Sequence, residues 1–196
     1  MAKEKDRFFT FLLYPDGEGF PQDWETRLEM IGQPIAVSPL HDKDKDKKNG
    51  GFIKPHYHGI YVANSPVTAD SVRNKIKRAL SSETEECRAI AKVQIVQKGI
   101  ENCYLYLTHE SKDAIEKKKH VYNKADIKHF SCFDLSRYVV LDTEIKGEMF
   151  NVVVSIIRAY MLENILDLYD FVEENGETYG LTIKLVNEVI AGKTGF

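Results

Sequence analysis

Two periods alternate along the first part of the chain. RFFTFLLYP (Arg7–Pro15) is a short aromatic-rich run ended by proline, which predicts a buried strand. PQDWETRLEMIG follows, with Pro21 near a helix start, Trp24, Leu28 and Ile31 at helical spacing, and Gly32 as a stop. IAVSPL and KPHYHGIYVAN predict two further strands, the second entered just after Pro55. In SPVTADSVRNKIKRAL, Thr68 can cap a helix whose apolar stripe is Val72, Ile76 and Leu80. AKVQIVQ alternates as a half-buried strand does, and GIENCYLYLTHESKDA returns to helical spacing. The order β-α-β-β-α-β-α predicts an α+β fold, the split βαβ arrangement of ferredoxin-like domains, with an antiparallel sheet and helices on one face.

The texture changes near Ser136. EMFNVVVSIIRAYMLENILDLYDFVEENGETYGLTIKLVNEVIAGKTGF predicts two or three amphipathic helices broken at ENG and at Gly180, with mainly acidic exposed positions. The reading is two domains, 1–135 and 136–196, the second a small all-α unit. At about 60 residues such a unit often leans on a partner, which suggests oligomerisation.

Charge sharpens this division. The net charge is −3, which taken alone argues against a nucleic-acid binder. Residues 1–137 nevertheless carry 23 Lys and Arg against 20 Asp and Glu, while residues 138–196 carry 4 against 10. Basic clusters at Lys43/Lys45/Lys47/Lys48, Arg73/Lys75/Lys77/Arg78 and Lys117/Lys118/Lys119 give the first part surfaces that could face phosphates, or merely solvated charge. Apolar residues make up 43% of the chain, enough for a core. There is no run of 18 apolar residues and MAKEKDRFF lacks a signal-peptide core, so a soluble, cytoplasmic protein with no membrane partner is expected. Cys87, Cys103 and Cys132 are odd in number and lack CxxC spacing, which favours free thiols.

Candidate chemistry gathers in SPLHDKDKDKKNGGFIKPHYHGIYV, Ser38 to Val62. Side chains alternate across a strand, so His56 and His58 share a face with Ile60, and Tyr57 and Tyr61 lie on the other. His41 ends the preceding strand, which should pair antiparallel with this one, and Asp44 can fold back through the turn. Three imidazoles and a carboxylate suit Mn²⁺, Zn²⁺, Ni²⁺, or Mg²⁺ assisted by phosphate. The same residues also fit a pair of sheet-surface histidines beside a polar hairpin. A calcium loop is excluded, because Lys47 stands where its glycine is needed and Ile53 where its glutamate is needed. A structural zinc site lacks suitable cysteines. In the YLYL helix, Ile100, Cys103, Tyr104 and Leu107 form the stripe that packs on the sheet. Tyr106 lies on the polar side with Asn102, His109 and Asp113, where it is either a partly exposed aromatic or a nucleophile for a metal-bound phosphate.

PHYHGIYV resembles the His-hydrophobic-His strand of HUH endonucleases, and YLYLTHES resembles their tyrosine motif. SPLHDKD, NSPVTADSVR, YLYLTHESKDAI, KKKHVY and NGETYGLTI resemble the RepB-type initiators of rolling-circle plasmids from Gram-positive bacteria, over nearly the whole chain. The resemblance implies an origin-binding and nicking domain followed by a helical domain that assembles rings, with hexamers in similar proteins. It implies His41, Asp44, His56 and His58 as ligands of Mn²⁺ or Mg²⁺, Tyr106 as nucleophile and Tyr122 in an auxiliary role. The expected partners are origin DNA, as double-stranded repeats and a single-stranded nick site, and host replication proteins. The expected chemistry is a 5′-phosphotyrosyl link, a 3′-hydroxyl primer and later strand transfer. No GxxxxGK[ST] loop is present, consistent with a transfer that needs no ATP. Lys43, Lys45, Lys47 and Lys48 of the hairpin and Arg73, Lys75 and Lys77 of helix 68–80 are candidates for DNA contact. The implied basic tail beyond AGKTGF is not represented, as the sequence stops at Phe196. A non-catalytic DNA-binding oligomer would explain the charge and the helices but give Tyr106 no role. Relaxases and transposases share the chemistry, and the short chain with its helical tail favours an initiator.

Overall fold

The computed structural model describes residues 3–45 and 50–193, so Lys47 and Lys48 lie outside the described residues. In chain order the elements are β1 (Asp6–Leu13), α1 (Trp24–Glu29), β2 (Ile35–Val37), β3 (Tyr57–Val67), α2 (Ala69–Leu80), β4 (Ile90–Ile95), α3 (Ile100–Tyr106), α4 (Lys112–Glu116), β5 (Lys128–Phe130), α5 (Leu135–Tyr160), α6 (Ile165–Tyr179) and α7 (Ile183–Lys193). A single 3₁₀ turn, Lys124–Asp126, precedes β5. The fold is α+β, with a sheet ordered β4-β1-β3-β2-β5 in which every neighbouring pair is antiparallel. Its first four strands have the order expected of a split βαβ unit, and β5 extends it at the β2 edge.

Alternation along the strands gives the sheet two unlike faces. Phe9, Phe11 and Leu13 of β1, Ile35 and Val37 of β2, Tyr61 and Ala63 of β3 and Phe130 of β5 form one cluster with Trp24 and Leu28 of α1 and Val72, Ile76 and Leu80 of α2. Burying each of these large side chains contributes about 1.5–3 kcal/mol. The α2 start is fixed by Thr68, whose hydroxyl oxygen accepts from the Ser71 backbone N–H at 3.2 Å. On the opposite face Thr10, Leu12, His58, Ile60 and Gln94 border a cleft of about 360 Å³ with Asn102, Cys103 and Tyr106 of α3. Helices therefore lie on both faces, not one, because the third helical run, α3, carries an apolar stripe of its own: Ile100 and Leu107 are buried.

That run is also shorter than its spacing predicts. It breaks after Tyr106, and the chain turns through a positive φ of 62° at His109 before Ser111 starts α4. The strand β5 carries only three residues, too few for any period to register.

The chain divides into two compact units, 1–136 and 137–196. In the second, Val153 and Ile156 of α5, Leu168 and Val172 of α6, and Leu181 and Val186 share one core. The ENG triplet does not break a helix, contrary to expectation. It lies inside α6, where a Cβ on Gly176 would stand 2.5 Å from the Leu181 carbonyl oxygen. Glycine there allows a close backbone approach, and the helix ends instead at Gly180 in the left-handed conformation. Its start is a capping box: the Asn164 side chain accepts from the Leu166 and Asp167 backbone N–H groups, and Asp167 accepts from the Asn164 N–H. No single helix among the described residues is long and apolar enough to cross a membrane. Cys87, Cys103 and Cys132 form no disulfide.

Candidate metal centre

The site begins as a hairpin. His41 and His56 face each other across an antiparallel bridge, with the His41 N–H donating to the His56 carbonyl at 2.9 Å and the reverse bond at 3.3 Å. Directly opposed residues in an antiparallel pair project to the same side, and His58 follows two positions on. The three rings are 4.9–5.5 Å apart between centroids. Asp44, buried, folds back from the outgoing strand, and the Ile53 N–H donates to its backbone carbonyl at 2.7 Å. A fourth imidazole completes the group: His109 is fully buried, and its ring centroid is 4.2 Å from that of His41.

Backbone carbonyls fix the tautomers, because a carbonyl only accepts. His41 Nε2–H donates to Leu107 O at 3.0 Å, which leaves the lone pair on Nδ1. His56 Nδ1–H donates to Lys54 O at 2.9 Å, and its Nε2 faces His58 Nε2 at 3.2 Å. His109 Nδ1–H donates to His120 O at 2.7 Å. Asp44 Oδ2 accepts from Lys119 at 2.9 Å. His41 Nδ1 and Asp44 Oδ1 are buried with no hydrogen-bond partner in the protein. Ligand atoms of His41, Asp44 and His56, and of His41, His58 and His109, fall within 4.8 Å of one another. Buried lone pairs converging from oriented imidazoles and a carboxylate fit a divalent cation.

Electrostatics favours lone pairs over N–H⁺ here. Burial, then the neighbouring His109, pushes His41 down to about 3. Burial, then His41, holds His58 well below its ordinary value, and burial lowers His109 too. For Asp44, burial pulls the pKa up, but the Lys119 hydrogen bond and His109 outweigh it and the carboxyl ends below its ordinary value.

Tyr106 closes α3 with its ring edge-on to His58 at 5.1 Å and to His109 at 5.3 Å. The Lys119 ammonium lies 5.1 Å from its ring centroid. Tyr122 stacks on His41 at 4.4 Å, and its hydroxyl accepts from the Lys43 backbone N–H at 3.0 Å, so it braces the root of the hairpin. Tyr104 points elsewhere, hydrogen-bonded to His129 at 2.9 Å.

The six residues named for metal and nucleophile or auxiliary roles therefore come together. The basic residues among those described do not. Lys43 and Lys45 are exposed along the hairpin. Arg73, Lys75 and Lys77 lie on α2, across the sheet from the histidines, and Lys77 is paired with Glu86 at 2.6 Å. Two members of the site escaped the sequence reading. His109 could be placed on the polar side of a helix with Tyr106, but not inside the cluster, because its left-handed φ of 62° sets its position. Lys119 reads as the third lysine of a solvated KKK run.

Residues 1–136 match the family model described as plasmid replication protein, origin binding domain. The whole chain is 66% identical to a replication protein RepB of Streptococcus agalactiae, covering 90% of that protein. A replication protein RepB of Lactiplantibacillus plantarum is 29% identical over 86% of this chain and 68% of its own length. A replication protein of Staphylococcus aureus is 30% identical over 63% of this chain and 57% of its own.

Proposed function

This chain belongs to the RepB family of plasmid replication initiators, and from that premise we propose that it nicks one strand of a plasmid double-strand origin through Tyr106, in a metal-dependent reaction. The observation that supports this most is the Tyr106 ring standing edge-on to His58 and His109, beside buried lone pairs with no partner in the protein. A Mn²⁺ or Mg²⁺ ion bound by His41, Asp44, His56 and His58 would supply Lewis acidity to a non-bridging oxygen of the scissile phosphate.

The protein's own groups do the rest. The backbone carbonyls that accept from His41 and His56 orient these rings with a lone pair facing inward. Tyr106 Oη forms a bond to phosphorus while the bond from phosphorus to the 3′ oxygen breaks. The phenolic proton leaves to solvent, and the 3′ oxygen takes one up. The products are a 5′-phosphotyrosyl link and a 3′-hydroxyl that primes host polymerase. The ester conserves the bond energy, so reversal onto a new 3′-hydroxyl rejoins strands without ATP. Unit 1–136 binds the origin repeats in this reading, and unit 137–196 assembles copies of the chain into a ring, a hexamer by resemblance.

Purified protein incubated with an origin oligonucleotide and Mn²⁺ tests the chemistry. The expected product is a peptide spanning Tyr106 that carries a 5′-linked nucleotide, mapped by mass spectrometry. An adduct on another residue, or nicking with no adduct, overturns the assignment.

A further inference from the structure

The run Lys117-Lys118-Lys119 follows α4, and its members diverge. Lys117 and Lys118 are exposed, and Lys118 has a positive φ of 52°, which turns the chain. Lys119 is directed inward, its side chain only 22% exposed. Its ammonium donates to Asp44 Oδ2 at 2.9 Å and to His109 Nε2 at 3.3 Å, and lies 5.1 Å from the Tyr106 ring centroid. One side chain thus spans a carboxylate of the candidate metal centre and the candidate nucleophile. A simple ion pair bracing a loop needs only the first contact. The contact with Tyr106 goes beyond that ion pair and reaches the ring that closes α3.

Resting on the nicking reading above, we propose that Lys119 is a positioning residue for Tyr106: anchored on Asp44, its ammonium holds the phenol against the histidine cluster and balances the negative charge that the phenolic oxygen takes on as its proton leaves. The geometry suits both tasks. A cation over an aromatic face restrains the ring. A fixed positive charge at a partly buried site acts more strongly than in water, and needs no reorganisation during the reaction. Lysine also draws on the carboxylate that would serve the ion. Two cations sharing one carboxylate repel each other, so removing Lys119 relieves the ion of a competitor.

This last point gives a test that mere structural damage would not mimic. Lys119→Met and Lys119→Arg are compared with the wild-type chain in single-turnover adduct formation, at saturating Mn²⁺, over a range of origin oligonucleotide concentrations. Binding of Mn²⁺ alone is measured by calorimetry, and folding by circular dichroism. The methionine variant is expected to lose on the order of 10²-fold in saturated rate. Its oligonucleotide half-saturation should be unchanged, and its Mn²⁺ affinity equal to or tighter than wild type. The arginine variant should recover to within about tenfold of wild type, because it keeps the charge.

A methionine variant within twofold of the wild-type rate overturns the proposal. So does a parallel fall in Mn²⁺ affinity and rate, which reduces Lys119 to a support for Asp44, or an arginine variant as slow as methionine. If wild-type protein forms no adduct at all, the nicking reading itself fails, and that result is separate from the other three.

Discussion

The two faces of one sheet divide the labour of this molecule. On one, Phe9, Phe11, Leu13 and Tyr61 are sealed beneath α1 and α2. On the other, a single step along the same strands brings Thr10, Leu12, His58 and Ile60 to a polar-edged cleft that α3 covers only in part. Register makes the division sharp: Leu12 pairs with His58 and Thr10 with Ile60 across β1 and β3. The apolar face supplies folding free energy from close packing. The histidine face gives up some of it, holding desolvated imidazoles and partnerless lone pairs against that support. Stability and chemistry can therefore be altered almost independently by choosing odd or even positions on a strand.

Breaking the comparison at its extreme means removing one atom. Tyr106→Phe should lose covalent adduct formation by at least about 10³-fold while the melting temperature stays put, as read by gel and calorimetry. On the other face, Phe9→Ala should cost about 3–5 kcal/mol in denaturant unfolding, yet leave Mn²⁺ affinity per folded molecule intact. His58→Ala should invert that outcome, weakening Mn²⁺ binding by on the order of 10²-fold in calorimetry with a much smaller effect on unfolding. Acid should act first on the histidine face. His41, His58 and His109 have folded pKa values below the ordinary 6.5, His41 at about 3. The unfolded chain then binds protons that the folded one refuses, so stability is complete above about pH 6.5 and declines progressively below it. Denaturant midpoints from pH 8 to pH 4 should fall, and replacing His41 with a non-titrating residue should flatten the slope. The smallest effect belongs to Lys75 on the outer side of α2: Lys75→Ala should reduce the salt slope of duplex affinity by about 1 if that helix meets phosphates.

Much of the sheet was legible because alternation and helical spacing are local signals. Arg7–Pro15, the YHGIYV strand and the Thr68-capped helix stand where their patterns predict. So was the His41–Asp44–His56–His58 grouping, since a hairpin brings strand partners together by pairing alone. What could not be read depends on the path of the chain between elements. The inward turn of Lys119 follows from the Lys118 backbone, and the entry of His109 from its own, neither of which has a periodic signature. β5 joins the sheet through pairing of His129 with Ala36, an edge decision made by β2 and not by its own three residues. The ENG triplet misled because glycine has two uses, ending helices and admitting close neighbours, and only the fold reveals which applies at Gly176.

The mutual bonds of His41 and His56 lock the two arms of their hairpin below the point where the chain reverses. Insertions beyond that lock cost only the slow logarithmic penalty of a longer closed loop. Asp44 lies beyond that lock but inside a second bridge, Lys45 with Phe52, so an insertion distal to this outer pair leaves every candidate ligand held on its arm.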